Sequence, residues 1–274
     1  MVRLGVVSFL NSRPLIEGLA ADAHVQLSFA VPAALPGRLD RGEVDVALIP
    51  TVDVLRSGGR YRVVSDGCIG CDGETMTVRV FSQVPPDRVR TLWTDTDSHT
   101  SVALARVLWR ELYGRDLELR ALDARAADLT VHEAVLLIGD KVVDPGRGSY
   151  AYEVDLGGAW RQHTGLPFVF AMWAHYEPRT STCAADLEQW SALLSLARDR
   201  GVARAAATAE SEGPTHGWPV ALARRYLTRC LRYTLDSRMV AGAELFGRLC
   251  ARVDLAPADC EIVWPEKLLA ARNP

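Results

Sequence analysis

Short apolar segments in the first part of the chain alternate with segments whose apolar residues have helical spacing. Residues 3–8, 25–29 and 44–49 are rich in β-branched residues and predict buried strands. Residues 13–21 and 35–40 lie between those strands and predict helices. A β-α-β-α-β order with short connections predicts a parallel sheet with right-handed crossovers.

A second unit of the same kind begins near residue 80. Residues 100–113 have strong helical periodicity and end at Gly114, which is typical of a helix C-terminus. Strands are predicted around this helix at residues 76–82, 91–94, 117–122 and 133–138.

The composition changes after about residue 175, where four further helices are predicted at residues 187–200, 202–210, 219–231 and 239–250. This order predicts a chain that leaves a first lobe, builds a second lobe and returns. We expect lobe 1 to comprise residues 1–80 and 176–274, and lobe 2 residues 81–175. The predicted fold class is therefore α/β with two lobes, and ligands of such folds lie in the cleft between them.

Composition narrows the range of partners. Lys and Arg number 31 against 34 Asp and Glu, a net charge of −3, and the basic residues are dispersed along the chain. This argues against a nucleic-acid partner and implies that local groups would hold an anionic ligand. The N-terminal apolar run is too short for a signal peptide, and no segment approaches the ~20 apolar residues of a membrane span. We therefore expect a cytoplasmic protein with no membrane partner.

Cys68 and Cys71 form a CxxC pair, which is a candidate for zinc or redox chemistry. A zinc site needs a second ligand pair at zinc-ribbon spacing, and none is present in the sequence. A redox motif would open a helix, whereas Asp72 and Gly73 predict a turn. A structural role is favoured, although the sequence leaves the role of the pair open, and we predict no metal and no cofactor.

Three predicted strand ends carry clusters of polar residues. Residues 8–12 fit a helix cap and an anion site equally well. Residues 95–101 include more Ser and Thr side chains than one helix cap needs, so they predict a carboxylate or phosphate site. Asp140 follows a buried strand, where a structural role is favoured over a catalytic one. His99 alone is weak support for catalysis.

The sequence contains no nucleophile elbow, P-loop, dinucleotide fingerprint or HExxH motif, and no recognisable order of a catalytic triad. Any chemistry would therefore depend on orienting a reactive substrate and stabilising its developing charge.

Six segments occur in an order that points to one family: VSFLNSRPL, VDVALIPTVDVL, LWTDTDSHTSVALARVL, LLIGD, DLGGAWRQHTGLPFVFAMW and RYTLDSRMVAGAELF. Together, over essentially the whole chain, they resemble the chorismate dehydratases of the futalosine route to menaquinone. The resemblance implies a type II periplasmic-binding-protein-like fold kept in the cytoplasm. It also implies a carbon-oxygen lyase that converts chorismate to 3-[(1-carboxyvinyl)oxy]benzoate without a cofactor.

The resemblance also implies roles for individual residues. Asn11 would orient the substrate and its leaving hydroxyl, with Thr77 as the second catalytic residue where relatives usually carry Ser. The predicted substrate-binding residues are Ser12, Ser98, Thr100, Ser101 and Asp140. This chain departs from the family at Glu74, where relatives have Pro, and at Lys141 and Val142, where they have Ala.

Several alternatives stay open. The proton acceptor would be the enolpyruvyl carboxylate of the substrate itself, with His99 as a rival. The alternative functions are 1,4-dihydroxy-6-naphthoate synthase of the same pathway and a non-catalytic binder of a small carboxylate. The sequence does not determine the oligomeric state, for which a homodimer is one option.

Overall fold

Two β-sheets organise the chain in this computed structural model, which describes residues 1–122, 129–143, 150–178, 182–266 and 268. The strands, in chain order, are β1 (Val2–Val7), β2 (Val25–Ala30), β3 (Val46–Pro50), β4 (Tyr61–Cys71), β5 (Val78–Ser82), β6 (Thr91–Asp95), β7 (Glu118–Leu122), β8 (Ala134–Ile138), β9 (Tyr152–Asp155), β10 (Phe168–Tyr176) and β11 (Leu231–Thr234). The α-helices are α1 (Leu35–Asp40), α2 (Thr51–Arg56), α3 (His99–Tyr113), α4 (Leu156–Thr164), α5 (Ala184–Glu212), α6 (Val220–Arg225) and α7 (Ser237–Arg252).

The larger sheet has the order β11-β4-β10-β3-β1-β2, and the smaller sheet has the order β7-β6-β8-β5-β9. In the larger sheet β1 pairs in parallel with β2 and β3, as the sequence predicts. Its remaining pairs are antiparallel, because β10 runs against both β3 and β4 while β11 runs against β4. The smaller sheet also combines parallel and antiparallel pairs. Both sheets are therefore mixed, and the parallel sheet expected from the first part of the sequence is restricted to β1, β2 and β3.

Strand β10 returns the chain from the smaller sheet to the larger one. Eight of its nine residues are buried, and it lies between β3 and β4. The predicted span of lobe 2, residues 81–175, includes most of this strand, which hydrogen-bonds in the larger sheet instead. The division into two lobes and its other boundaries stay a prediction.

The predicted helix at residues 13–21 is wrong. Two short 3₁₀ turns, Leu10–Leu15 and Leu19–Ala21, replace it. Pro14 lies inside the first turn and has no N–H to donate to an α-helical bond. Gly18 has a φ of 81°, a left-handed conformation that separates the two turns. Asn11 and Ser12 are consequently presented by a tight turn and not by the start of an α-helix.

The C-terminal helices also differ from the sequence prediction. Residues 187–200 and 202–210 belong to one helix, α5, which continues through Gly201. The predicted helix at residues 219–231 is shorter in the structure, where α6 ends at Arg225. A π-helical turn at Tyr226–Cys230 then leads into β11. The absence of a side chain at Gly201 allows α5 to contact the turn that carries Asn11, because a Cβ there would overlap the Pro14 carbonyl.

Aromatic packing fixes β10 in the core. The Phe168 ring meets Trp160 of α4 edge-on at 5.2 Å and Phe246 of α7 at 4.9 Å.

Cys68 and Cys71 lie in the adjacent strand β4 as buried free thiols, and burial raises the pKa of both. A protonated, buried thiol is a poor nucleophile and a poor metal ligand, so this geometry supports a structural role for the pair.

None of the helices in the described residues has the length and the apolar content needed to cross a bilayer.

We expect Gly201→Ala to lower the free energy of unfolding by about 1–3 kcal/mol, because the new methyl group must displace the Pro14 backbone. Gly158→Ala in α4 is the matched control, since its nearest neighbour would lie at 3.7 Å. The control should be neutral or slightly stabilising, because Ala favours a helix over Gly by about 1 kcal/mol. Urea denaturation of both variants tests the expectation, and equal stabilities would contradict this helix contact.

Candidate active site

A cavity lies between the two sheets. Its apolar wall includes Phe9, Ile69, Ile138 and Phe170. Five of the seven predicted site residues line it: Asn11, Thr77, Ser98, Thr100 and Ser101. Thr75 and Tyr226 also line the cavity, and neither was predicted from the sequence.

The N-terminus of α3 forms one polar wall of the cavity. The Ser98 hydroxyl caps the helix by accepting the Ser101 N–H at 3.2 Å. The Thr100 hydroxyl accepts the Val52 N–H of α2, also at 3.2 Å. Because both hydroxyl oxygens act as acceptors, each O–H can still donate to a ligand. The positive end of a helix of this length would add about 0.3–2 kcal/mol to the binding of an anion.

Lys141 forms ion pairs with two carboxylates that lie beside this wall. Its Nζ is 2.5 Å from an oxygen of Asp95, which is almost fully buried, and 2.7 Å from one of Asp97. Asp95 also accepts the Asp97 N–H at 3.1 Å, which fixes the loop before α3. The cation therefore stabilises the loop that presents Ser98 and reduces the repulsion that an anionic ligand would experience there.

A carboxylate orients the segment that carries Thr77. Met76, the preceding residue, has a φ of 68°, which is uncommon for a residue with a side chain. Asp155 accepts the Met76 N–H at 2.7 Å, the Thr75 N–H at 2.9 Å and the Gly158 N–H at 2.9 Å. Burial raises the pKa of Asp155 although these three N–H groups oppose the shift. The strained turn directs the side chains of Thr75 and Thr77 to the cavity.

Asn11 presents an unpaired acceptor. Its Oδ1 is buried and has no hydrogen-bond partner among the described residues. A buried acceptor without a partner costs about 1–3 kcal/mol. A ligand that donates a hydrogen bond to Oδ1 would recover this energy.

Ser12 does not line the cavity. Its side chain is fully buried and turns back toward the end of β1, where Oγ lies 2.6 Å from the Val7 carbonyl oxygen and donates to it. The Phe9 carbonyl lies 3.1 Å away. These contacts assign the Ser12 hydroxyl to the turn, so the side chain supports Asn11 instead of facing a ligand.

Asp140 lies outside the lining of the cavity and links the two sheets. Its carboxylate accepts hydrogen bonds from the His216 Nδ1 at 2.8 Å, the Trp218 Nε1 at 2.8 Å and the Leu10 N–H at 3.3 Å. Leu10 directly precedes Asn11, whereas Asp140 follows β8 of the smaller sheet. We call Leu10, Asp140, His216 and Trp218 the latch. With three donors already bound, Asp140 is better placed to hold the sheets together than to bind substrate.

His99 lies away from the cavity lining. Its Nδ1 is 2.7 Å from the Asp53 carboxylate, and 40% of its side chain is exposed. The pair connects α3 to α2 at the surface. This geometry supports a structural role for His99.

Comparison with known proteins identifies the family. A model of the family described as menaquinone biosynthesis matches residues 2–252. The chain belongs to this family. A chorismate dehydratase from Thermus thermophilus is 28% identical over 259 residues, which cover 89% of this chain and 93% of that protein. The resemblance drawn from the sequence is therefore confirmed.

Solved structures confirm the fold of this menaquinone biosynthesis family member. Protein AF1704 from Archaeoglobus fulgidus superposes with a TM-score of 0.73 at 14% identity, covering 93% of this chain and 98% of that one. The periplasmic aliphatic sulphonate binding protein SsuA from Escherichia coli gives a TM-score of 0.62 at 16% identity, with 95% of each chain covered. The predicted periplasmic-binding-protein-like fold is thus confirmed.

We expect Asp140→Ala to lower the free energy of unfolding by about 2–4 kcal/mol, because three donors lose their acceptor. Asp116→Ala is the control, since that carboxylate is 77% exposed and its ion pair with Arg110 is worth about 0–1 kcal/mol. Urea denaturation measures both variants. An Asp140 variant as stable as the Asp116 variant would contradict the latch.

Proposed function

We propose that this chain is a chorismate dehydratase of menaquinone biosynthesis, a carbon-oxygen lyase that removes water from chorismate to give 3-[(1-carboxyvinyl)oxy]benzoate. The six sequence segments, the family membership and the Thermus thermophilus relative support this assignment. The observation that carries it is the cavity itself. It joins the unpaired acceptor of Asn11, the hydroxyl of Thr77 and the N-terminus of α3 around one space.

Chorismate carries two carboxylates, and we propose that one of them binds at the start of α3. The Ser98 and Thr100 hydroxyls have protons to donate there, and Ser101 completes the wall. The ring would then lie against the apolar surface of Phe9 and Phe170. Asn11 Oδ1 would accept a hydrogen bond from the ring hydroxyl.

The chemistry of the cavity favours a base supplied by the substrate. Among the described residues that line the cavity, Tyr226 is the one with a titratable side chain, and burial raises the pKa of its phenol. A protonated phenol cannot remove the C3 proton. We propose that the enolpyruvyl carboxylate of chorismate removes it while Asn11 orients the ring hydroxyl, Thr77 donates a hydrogen bond to that hydroxyl as it departs, and the donors of the cavity stabilise the dienolate.

The step balances without a co-reactant. The C3–H electron pair forms the new ring double bond and the C4–O bond breaks. The enolpyruvyl carboxylate passes the proton taken from C3 to the departing hydroxyl, which leaves as water, so the carboxylate is regenerated. The gain of aromaticity drives the elimination. The protein fixes the orientation of the ring and donates hydrogen bonds to the groups that gain negative charge.

We expect the purified chain, treated with a chelator, to convert chorismate to an aromatic product lighter by one water, as followed by chromatography and mass spectrometry. Asn11→Ala and Thr77→Val should each lower kcat by about 10²–10³, because each removes a group that acts on the transition state. Thr228→Ala is the matched control, since Thr228 is exposed and bonds only to its own helix at the Arg224 carbonyl.

Three other results would redirect the assignment. Full turnover in both Asn11→Ala and Thr77→Val would contradict the proposed site. A steep loss in His99→Ala with an intact fold would favour His99 as the base. Unchanged chorismate with wild-type protein would favour the naphthoate synthase, or a binder that is merely stabilised thermally by the ligand.

We also propose that the protein acts in the cytoplasm on this small molecule, without nucleic acid or a membrane as partner. The expectation rests on the sequence and on the biosynthetic family. A homodimer stays an open option for its assembly.

A further inference from the structure

Tyr226 contacts one of the two predicted catalytic residues and shares the cavity with the other. It begins the π-helical turn Tyr226–Cys230, is 1% exposed and lines the cavity. Its hydroxyl lies 2.7 Å from Thr77 Oγ1, and Asn11 lines the same cavity. The turn leads into β11 of the larger sheet, whereas Thr77 precedes β5 of the smaller one. The phenol therefore links the larger-sheet side of the cavity to Thr77 on the other side.

The acidity of the two hydroxyls favours one direction for this hydrogen bond. Either hydroxyl could donate on geometry alone, but a phenol is the stronger donor because it is more acidic than an aliphatic alcohol. Burial raises the pKa of Tyr226, so the phenol keeps its own proton. That proton can be donated to Thr77 Oγ1. The Thr77 proton is then left to point at a ligand.

The latch holds the phenol ring in place. Tyr226 stacks on Trp218 with ring centroids 4.8 Å apart and an interplanar angle of 10°. The Trp218 Nε1 is anchored on Asp140 at 2.8 Å. The orientation of the Tyr226 hydroxyl is thus tied to the contact that joins the two sheets.

We propose that Tyr226 is a positioning residue for the dehydration: its hydroxyl donates to Thr77 and thereby directs the Thr77 proton toward the departing hydroxyl of the substrate. This inference rests on the proposed function. The hydrogen of a threonine hydroxyl rotates freely about the C–O bond. A fixed hydrogen-bond donor to the oxygen restricts this rotation to orientations in which the O–H points at the substrate. A hydrogen bond accepted by Oγ1 also strengthens the one that Thr77 donates, because chains of hydrogen bonds polarise one another.

The test compares Tyr226→Phe with Tyr233→Phe in steady-state turnover of chorismate. Phe keeps the stacking surface on Trp218 and removes only the hydroxyl. Tyr233 is the matched control, because it is also buried and its hydroxyl has no partner among the described residues. We expect Tyr226→Phe to lower kcat about tenfold with KM within about twofold of wild type. Tyr233→Phe should change neither constant.

A double variant separates positioning from an independent role. If Tyr226 acts through Thr77, Thr77→Val with Tyr226→Phe should turn over as slowly as Thr77→Val alone. Three outcomes would each overturn the inference: an unchanged kcat in Tyr226→Phe, a change confined to KM, or fully additive losses in the double variant. In each of these cases, wild-type turnover would still uphold the proposed function. Absence of wild-type turnover would overturn the proposed function and this inference with it.

Discussion

The Asp140 carboxylate is the contact on which the site depends. It accepts hydrogen bonds from Leu10, His216 and Trp218, so one side chain of the smaller sheet holds the turn that presents Asn11 and the segment that leads to Tyr226. Together with the Thr100–Val52 and Thr77–Tyr226 hydrogen bonds, this contact fixes the distance between the two sides of the cavity. The orientation of Asn11 and the hydrogen bond at Thr77 therefore both depend on Asp140.

The carboxylates near the cavity do not line it. Asp95 and Asp97 are paired with Lys141 behind the wall, and Asp155 is bound to backbone N–H groups. Beside the apolar wall, the polar groups that face the interior are a helix N-terminus, hydroxyls and one amide. Such groups stabilise negative charge as it develops without competing for protons. An elimination in which the substrate supplies its own base suits this environment.

The sequence predicts the local structure well where a periodic pattern is strong. The predicted α1 at residues 35–40 and strand β2 match the structure closely, and Ser98, Thr100 and Ser101 of the polar segment line the cavity. Predictions fail where contacts between residues far apart in sequence determine the structure. Gly201 is accommodated within α5 because it packs on Pro14, and Tyr226 reaches Thr77 across 149 positions of sequence. No local pattern signals either contact.

The central claim is that chorismate binds between the two sheets with a carboxylate at the start of α3. The most direct measurement is a crystal structure of the Thr77→Val variant with chorismate bound. We expect one carboxylate within hydrogen-bond distance of the Ser98 and Thr100 hydroxyls, and the ring hydroxyl at Asn11 Oδ1. Chorismate bound outside the cavity, or with both carboxylates away from α3, would contradict the claim.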